Sequence, residues 1–183
     1  FEGEFGFRTY PQVITLPTLI EALKLSNYQT ETGRFEFRGK PVRNIAMIHC
    51  VGSRQIPGIH EPKANGQLNE YCSRTCCMYA LKYAHLLKQK CGPETTVYNF
   101  YIDMRCFGKG YEEFYKQVQA EGVKMVRGKA SSITEKPDGT LLINAEDSLA
   151  ASFMQLDVDM VILCTAMEPR QNAEDVMRTF GLG

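Results

Sequence analysis

The 183-residue chain predicts an α/β fold: a Rossmann-like, nucleotide-binding-type domain with a parallel sheet and an antiparallel β-meander. Three observations carry this expectation. Asn44 to His49 (NIAMIH), Thr96 to Ile102 (TVYNFYI) and Asp159 to Cys164 (DMVILC) are apolar runs with few breaks, the texture of strands buried on both faces. Segments of helical period stand between them. Lys136-Pro137-Asp138-Gly139 is a tight-turn sequence flanked by two short alternating stretches.

In chain order, residues 1–10 are rich in aromatics and glycine, and Leu16 to Leu25 suits a short helix with Pro17 in its first turn. Residues 26–40 are polar and glycine-punctuated, the composition of a linker or exposed hairpin. The strand at 44–49 runs into Cys50-Val51-Gly52-Ser53-Arg54, and residues 56–70 form a loop containing Pro57, Gly58, Pro62, Asn65 and Gly66. Ser73 to Gln89 reads as an amphipathic helix closed by Gly92 and Pro93. After the strand at 96–102 come a helix from Tyr111 to Glu121 and a short strand at 123–126. The hairpin joins 130–135 to 140–145, with 152–158 as a third meander strand. The strand at 159–164 and a helix at 173–180 complete the chain. The order βαβαβ, meander, β is that of a nucleotide-binding-like domain of flavoprotein disulfide reductases.

Composition narrows the function. Lysine plus arginine (21) equals aspartate plus glutamate (21), so nothing in the charge balance marks a nucleic-acid surface. No apolar run approaches about 18 residues, so no membrane-spanning helix is expected. The chain begins at Phe1 and is expected to be a piece of something larger.

The cysteines carry the chemistry. Cys50, Cys72, Cys76 and Cys77 follow C-x21-C-x3-C-C. Thiols so close together, in a chain without a secretory signal, point to metal ligation in a reducing, cytoplasmic setting. A single zinc needs four sulfurs about 2.3 Å from one ion, and adjacent cysteines suit that poorly. A cubane offers four irons at separate corners, so Cys76 and Cys77 can point apart and each bind one. On a helix, Cys72 and Cys76 would share one face, and the helix N-terminus would lower thiolate pKa values and offset an anionic cluster. The pattern favours a 4Fe-4S cluster; zinc, and ordinary buried cysteines in a non-redox structural or binding domain, remain the alternatives. Where a dinucleotide site would have G-x-G-x-x-G, this chain has Cys50-Val51-Gly52-Ser53-Arg54, so no NAD(P)H binding is expected.

The segments CVGSR, YCSRTCCMYALK, FYIDMRCFGKGYEEFYKQVQAEGV and CTAMEP resemble the iron–sulfur flavoprotein component of heterodisulfide reductase and related iron–sulfur flavoproteins, over residues 43–180. The resemblance implies a thioredoxin-reductase-like core, an oxidoreductase passing electrons between FAD and 4Fe-4S clusters, and other subunits of an electron-transfer complex as partners. It maps the cluster onto Cys50, Cys72, Cys76 and Cys77, and a flavin-facing loop onto Thr165, Ala166, Met167, Glu168 and Pro169. It makes residues 1–40 an extension or linker toward a neighbouring flavin domain, and 41–183 the Rossmann-like domain with the cysteine site. Two departures stand out. The segment IPGIHEPKANGQLNE lengthens the Cys50–Cys72 linker, at small entropic cost; and Ala166 replaces the family's glycine. The glycine-rich FAD fingerprint is missing, so FAD is expected in the full-length protein and not in this chain alone, which is expected to be inactive in turnover. No catalytic side chain is assigned. Cys164 reads as a small buried hydrophobe, Cys91 and Cys106 as incidental, and His49 as a packing residue, an orienting neighbour of the cluster, or a third ligand of a zinc site.

Overall fold

The computed structural model describes residues 3–25 and 35–182. Its elements are β1 (Val13–Thr15), α1 (Leu16–Leu25), β2 (Phe35–Phe37), β3 (Lys40–Val42), β4 (Asn44–Val51), α2 (Cys76–Lys90), β5 (Thr96–Tyr101), α3 (Tyr111–Ala120), β6 (Lys124–Arg127), β7 (Ala130–Glu135), β8 (Leu141–Asp147), β9 (Ser152–Val158), β10 (Met160–Thr165) and α4 (Ala173–Thr179). Five strands form a parallel sheet in the order β1-β10-β4-β5-β6. β7, β8 and β9 form an antiparallel meander, and β2 and β3 a separate hairpin.

The sheet is covered on both sides, which is why its central strands read as unbroken apolar runs. Residues of alternating parity go to opposite faces. Ile45, Met47, Val97, Met160 and Ile162 pack against Leu19 of α1, Ala80, Leu81, Ala84 and Leu87 of α2, and Val118 of α3. Ala46, Ile48, Phe100, Val161 and Leu163 pack against Ile133, Leu141, Ile143 and Val158 of the meander. The result is three layers: helices, parallel sheet, antiparallel sheet. The Asp159 carboxylate locks the starting edge by accepting the backbone N–H groups of Arg43 and Asn44, each at 2.8 Å. This fixes the register of β10 beside β4, so their carboxyl ends emerge together.

The α/β class, the parallel sheet and the meander are as the sequence predicts. Two details differ, and one open alternative is decided. Val13–Thr15 hydrogen-bonds in parallel to β10, so residues 13–25 pack with the main sheet and its helical layer. The polar stretch at 26–40 is a hairpin where it is described, at 35–37 and 40–42; residues 26–34 lie outside the described residues. Helix α2 starts at Cys76, not Ser73, because Arg74 takes a left-handed backbone (φ 62°) that a helix cannot include.

Leu163 is fully buried in β10, the strand beside the central one. Leu163→Ala should cost about 2–5 kcal/mol, because packing on the meander side prevents collapse around the void. Chemical denaturation should give a lower midpoint with an unchanged slope.

Candidate metal centre

The site begins with an irregularity in β4. Leu163 of β10 pairs with Ile48, but Thr165 pairs with Val51, so β4 carries one extra residue between the two points. This is a bulge, and it coincides with a left-handed backbone at Cys50 (φ 60°). Non-glycine residues held there cost about 1–3 kcal/mol. Arg54 (φ 53°) and Arg74 (φ 62°) share the conformation, so three strained residues lie in or beside the segments carrying Cys50 and Cys72.

The long linker closes on itself. Arg54 donates its N–H to the Tyr71 carbonyl and Gln55 to the Asn69 carbonyl, both at 3.0 Å. Asn69, itself buried, donates through Nδ2 to the Gly52 carbonyl at 2.9 Å and through its backbone N–H to Gln55 Oε1 at 2.8 Å. This neck returns the chain to its starting point. Cys72 therefore arrives beside Cys50 despite 21 intervening residues.

Cys50, Cys76 and Cys77 are buried and Cys72 is half-buried. Burial pushes the Cys50 thiol up to about 11; Arg54 opposes this, while the charges of Cys77, Cys72 and Cys76 add to it. Burial also raises Cys77, partly opposed by a backbone hydrogen bond from Arg105. The four thiols are thus electrostatic neighbours. Cys50 and Cys77 are thus raised where a lowering by the helix end was expected, with burial the largest cause at each. Cys72 lies before the helix, so the shared helical face does not exist; its sulfur instead accepts the Arg74 N–H at 3.4 Å. Among the described residues, no three His, Cys, Asp or Glu side chains are gathered closely enough to hold one metal ion.

Charge is supplied from the loop after β5. Asp103 Oδ1 accepts Arg54 Nη1 at 2.5 Å and Arg105 Nε at 3.2 Å, and Oδ2 accepts Arg105 Nη2 at 3.1 Å. The Asp103 carbonyl accepts the Cys77 thiol at 3.8 Å. Partial burial pushes the Asp103 carboxyl up, and the hydrogen bonds and charges of Arg105 and Arg54 more than reverse it.

The predicted flavin-facing loop closes over the same end of the sheet. Ala166 donates its N–H to the Val51 carbonyl at 2.8 Å, Met167 donates to Ser73 Oγ at 3.0 Å, and the Met167 carbonyl accepts Tyr71 O–H at 2.9 Å. Glu168 accepts Asn69 Nδ2 at 2.6 Å and Lys63 Nζ at 2.8 Å. Tyr79 O–H donates to the Thr165 carbonyl. Thr165 to Glu168 are thereby tied to the cysteine loop and α2.

Several of these groups carry no signal in the sequence. Asp103 is an ordinary acid in a turn until Arg54 is seen opposite it. Asn69 reads as one more loop asparagine. Cys164 is fully buried, as expected of a small hydrophobe, yet the charges of Cys76, Cys77 and Cys50 add to the desolvation that raises its thiol. His49 is buried, its Nε2 2.7 Å from Asn99 Oδ1 and its Nδ1 without a partner among the described residues; burial lowers it to about 4 against that hydrogen bond, so it is neutral. Cys106 is within electrostatic reach of Cys77.

The thiols make a pH prediction. Cys50 moves from 9.0 to about 11 on burial, so the folded state favours the protonated thiol. That stability is present in full below about pH 9 and is lost as pH rises toward 11. The melting temperature of the metal-free protein should fall over this interval, and Cys50→Ala should fall less steeply. Parallel curves for the two proteins above pH 9 would contradict the assignment.

No family model matches the chain. It is 39% identical over 180 residues to a subunit of the H(2):CoB-CoM heterodisulfide,ferredoxin reductase of Methanothermobacter marburgensis, covering 98% of this chain and 26% of that protein. It is 38% identical over 185 residues to the iron-sulfur subunit of the CoB–CoM heterodisulfide reductase of Methanocaldococcus jannaschii, with the same coverage. Among solved structures, L-lysine 6-monooxygenase from Pseudomonas syringae aligns with a TM-score of 0.51 at 9% identity, over 92% of this chain and 43% of that one, a likeness of fold alone. The chain spans about a quarter of the length of the curated relatives it matches. With sequence likeness extending over nearly all of its residues, the cysteine-bearing segments included, the chain belongs to the family of the heterodisulfide reductase iron–sulfur subunit.

Proposed function

We propose that this chain is the electron-transfer segment of a heterodisulfide-reductase-type iron–sulfur flavoprotein, and that Cys50, Cys72, Cys76 and Cys77 ligate one 4Fe-4S cluster. The observation that carries the reading is that four thiols from three segments, the end of β4, the loop before α2 and the first turn of α2, lie within electrostatic reach of one another. The donor chemistry fits the group. All four donors are sulfur, backbone N–H groups of Arg74 and Arg105 are directed at Cys72 and Cys77, and Arg54 lies close enough to oppose the rise of the Cys50 thiol. A tetrahedral zinc with bonds of about 2.3 Å would need its sulfurs within about 3.8 Å of one another.

When bound, such a cluster accepts and releases single electrons. The chain's own contribution is to bury three of the four thiols, to direct N–H donors at the sulfurs, and to hold arginine side chains beside them. In the longer polypeptide implied by the relatives, we further propose that Thr165, Ala166, Met167, Glu168 and Pro169 face FAD, with the relay running between cluster and flavin. The anchorage of this loop to Tyr71, Ser73 and Asn69 supports this, since it couples the loop mechanically to the cysteine segment. The whole protein would act with other subunits of an electron-transfer complex in the cytoplasm, where thiols stay reduced. Among the described residues no helix is long and apolar enough to cross a membrane.

Anaerobically purified or reconstituted protein should contain about four irons and four sulfides per chain. Serine at any one of the four cysteine positions should reduce both sharply. Full iron content in Cys76→Ser or Cys77→Ser, or one equivalent of zinc in place of iron, would defeat the ligand assignment. The same preparation should show no one-to-one flavin absorbance, because one loop offers too few contacts to offset the association entropy of FAD; stoichiometric flavin would show that the loop's share of the site is larger.

A further inference from the structure

We propose that Asp103 is a positioning residue: it holds the guanidinium groups of Arg54 and Arg105 beside the cysteine sulfurs and thereby sets the reduction potential of the centre they bind. This rests on the cluster reading above. Asp103 lies just beyond β5, the parallel neighbour of β4, so the loops carrying Arg54 and Asp103 emerge from the same end of the sheet. Both carboxylate oxygens are engaged, one by each arginine and the second again by Arg105, while the backbone carbonyl of the same residue accepts the Cys77 thiol. One residue therefore ties together the Cys50 loop, the first turn of α2 and two cations.

Stability alone does not account for this arrangement. The side chains are 24%, 38% and 47% exposed for Arg54, Asp103 and Arg105, and ion pairs so exposed add little to folding. Their position matters more. Two cations against one anion leave a net positive charge within electrostatic reach of the Cys50, Cys72 and Cys77 sulfurs. Adding an electron to a sulfur-ligated centre adds negative charge, so adjacent cations favour the reduced form, and net charge is among the factors that set such potentials. Arginine is mobile on its stem, and without Asp103 neither guanidinium has another carboxylate partner among the described residues.

The test is a double-mutant cycle read by EPR-monitored redox titration of the anaerobic, iron-loaded protein at low salt, with iron and sulfide measured for every variant. Arg54→Gln should lower the reduction equilibrium roughly tenfold, about 59 mV for a one-electron couple. Arg54→Lys, which keeps the charge, should stay close to wild type. In an Asp103→Ala background the Arg54→Gln shift should largely disappear, because the guanidinium has already been released. Should Asp103→Ala load poorly, Asp103→Ser serves the same purpose. The wild-type shift should shrink as ionic strength rises, since the arginines are partly exposed. An Arg54→Gln shift of equal size with and without Asp103 would overturn the positioning role. Fully loaded Arg54→Gln protein at the wild-type potential would overturn the electrostatic role. Wild-type protein that takes up no iron and sulfide would instead defeat the cluster reading, and this inference with it.

Discussion

The arrangement at the carboxyl end of the sheet depends on one extra residue in β4. A regular strand would continue the alternation that sends Ile45 and Met47 to the helices and Ala46 and Ile48 to the meander. The bulge between the pairs Leu163–Ile48 and Thr165–Val51 ends that alternation, and Cys50 turns left-handed within it. A strained residue persists only where its surroundings over-determine it. Here the surroundings are β10 and β5 on either side, both largely buried, and the Asp159 clamp that fixes the register of β10 from the opposite end.

From this turn the remaining parts follow by closure. The Cys50–Cys72 linker would be an entropic burden if the site had to gather it on each folding event, but loop cost grows only logarithmically with length. Its neck, formed by Arg54, Gln55, Asn69 and Tyr71, reduces the effective closure to a few residues. Asn69 is the pivot: its side chain joins Gly52 on one side to Glu168 on the other, so the cysteine loop and the loop after β10 are held by the same amide.

The energetics of the thiols run against ionisation. Burial raises Cys50, Cys77 and Cys164, and each neighbouring sulfur opposes the charge of the next. Thiols grouped in this way are an unfavourable place for thiolates and a favourable one for a cation-bearing group that would neutralise them. Arg54, Arg105 and backbone N–H donors supply part of that compensation from the protein.

The sequence by itself determined the α/β class, the positions of β4, β5 and β10, the meander, and the spacing of the cysteines, because apolar periodicity, turn residues and thiol spacing are local properties of the chain. Only the tertiary structure decided that β1 joins the main sheet, since three residues, Val13 to Thr15, carry too little pattern to announce their pairing with β10. It also decided that the helix starts at Cys76 and not at Ser73, because Arg74 takes a left-handed turn that helical propensity gives no sign of. The pairing of Arg54 with Asp103, 49 residues apart, and of Asn69 with Glu168, 99 apart, depends on where parallel strands end relative to one another. That is a consequence of register, and register is fixed by packing across the whole sheet.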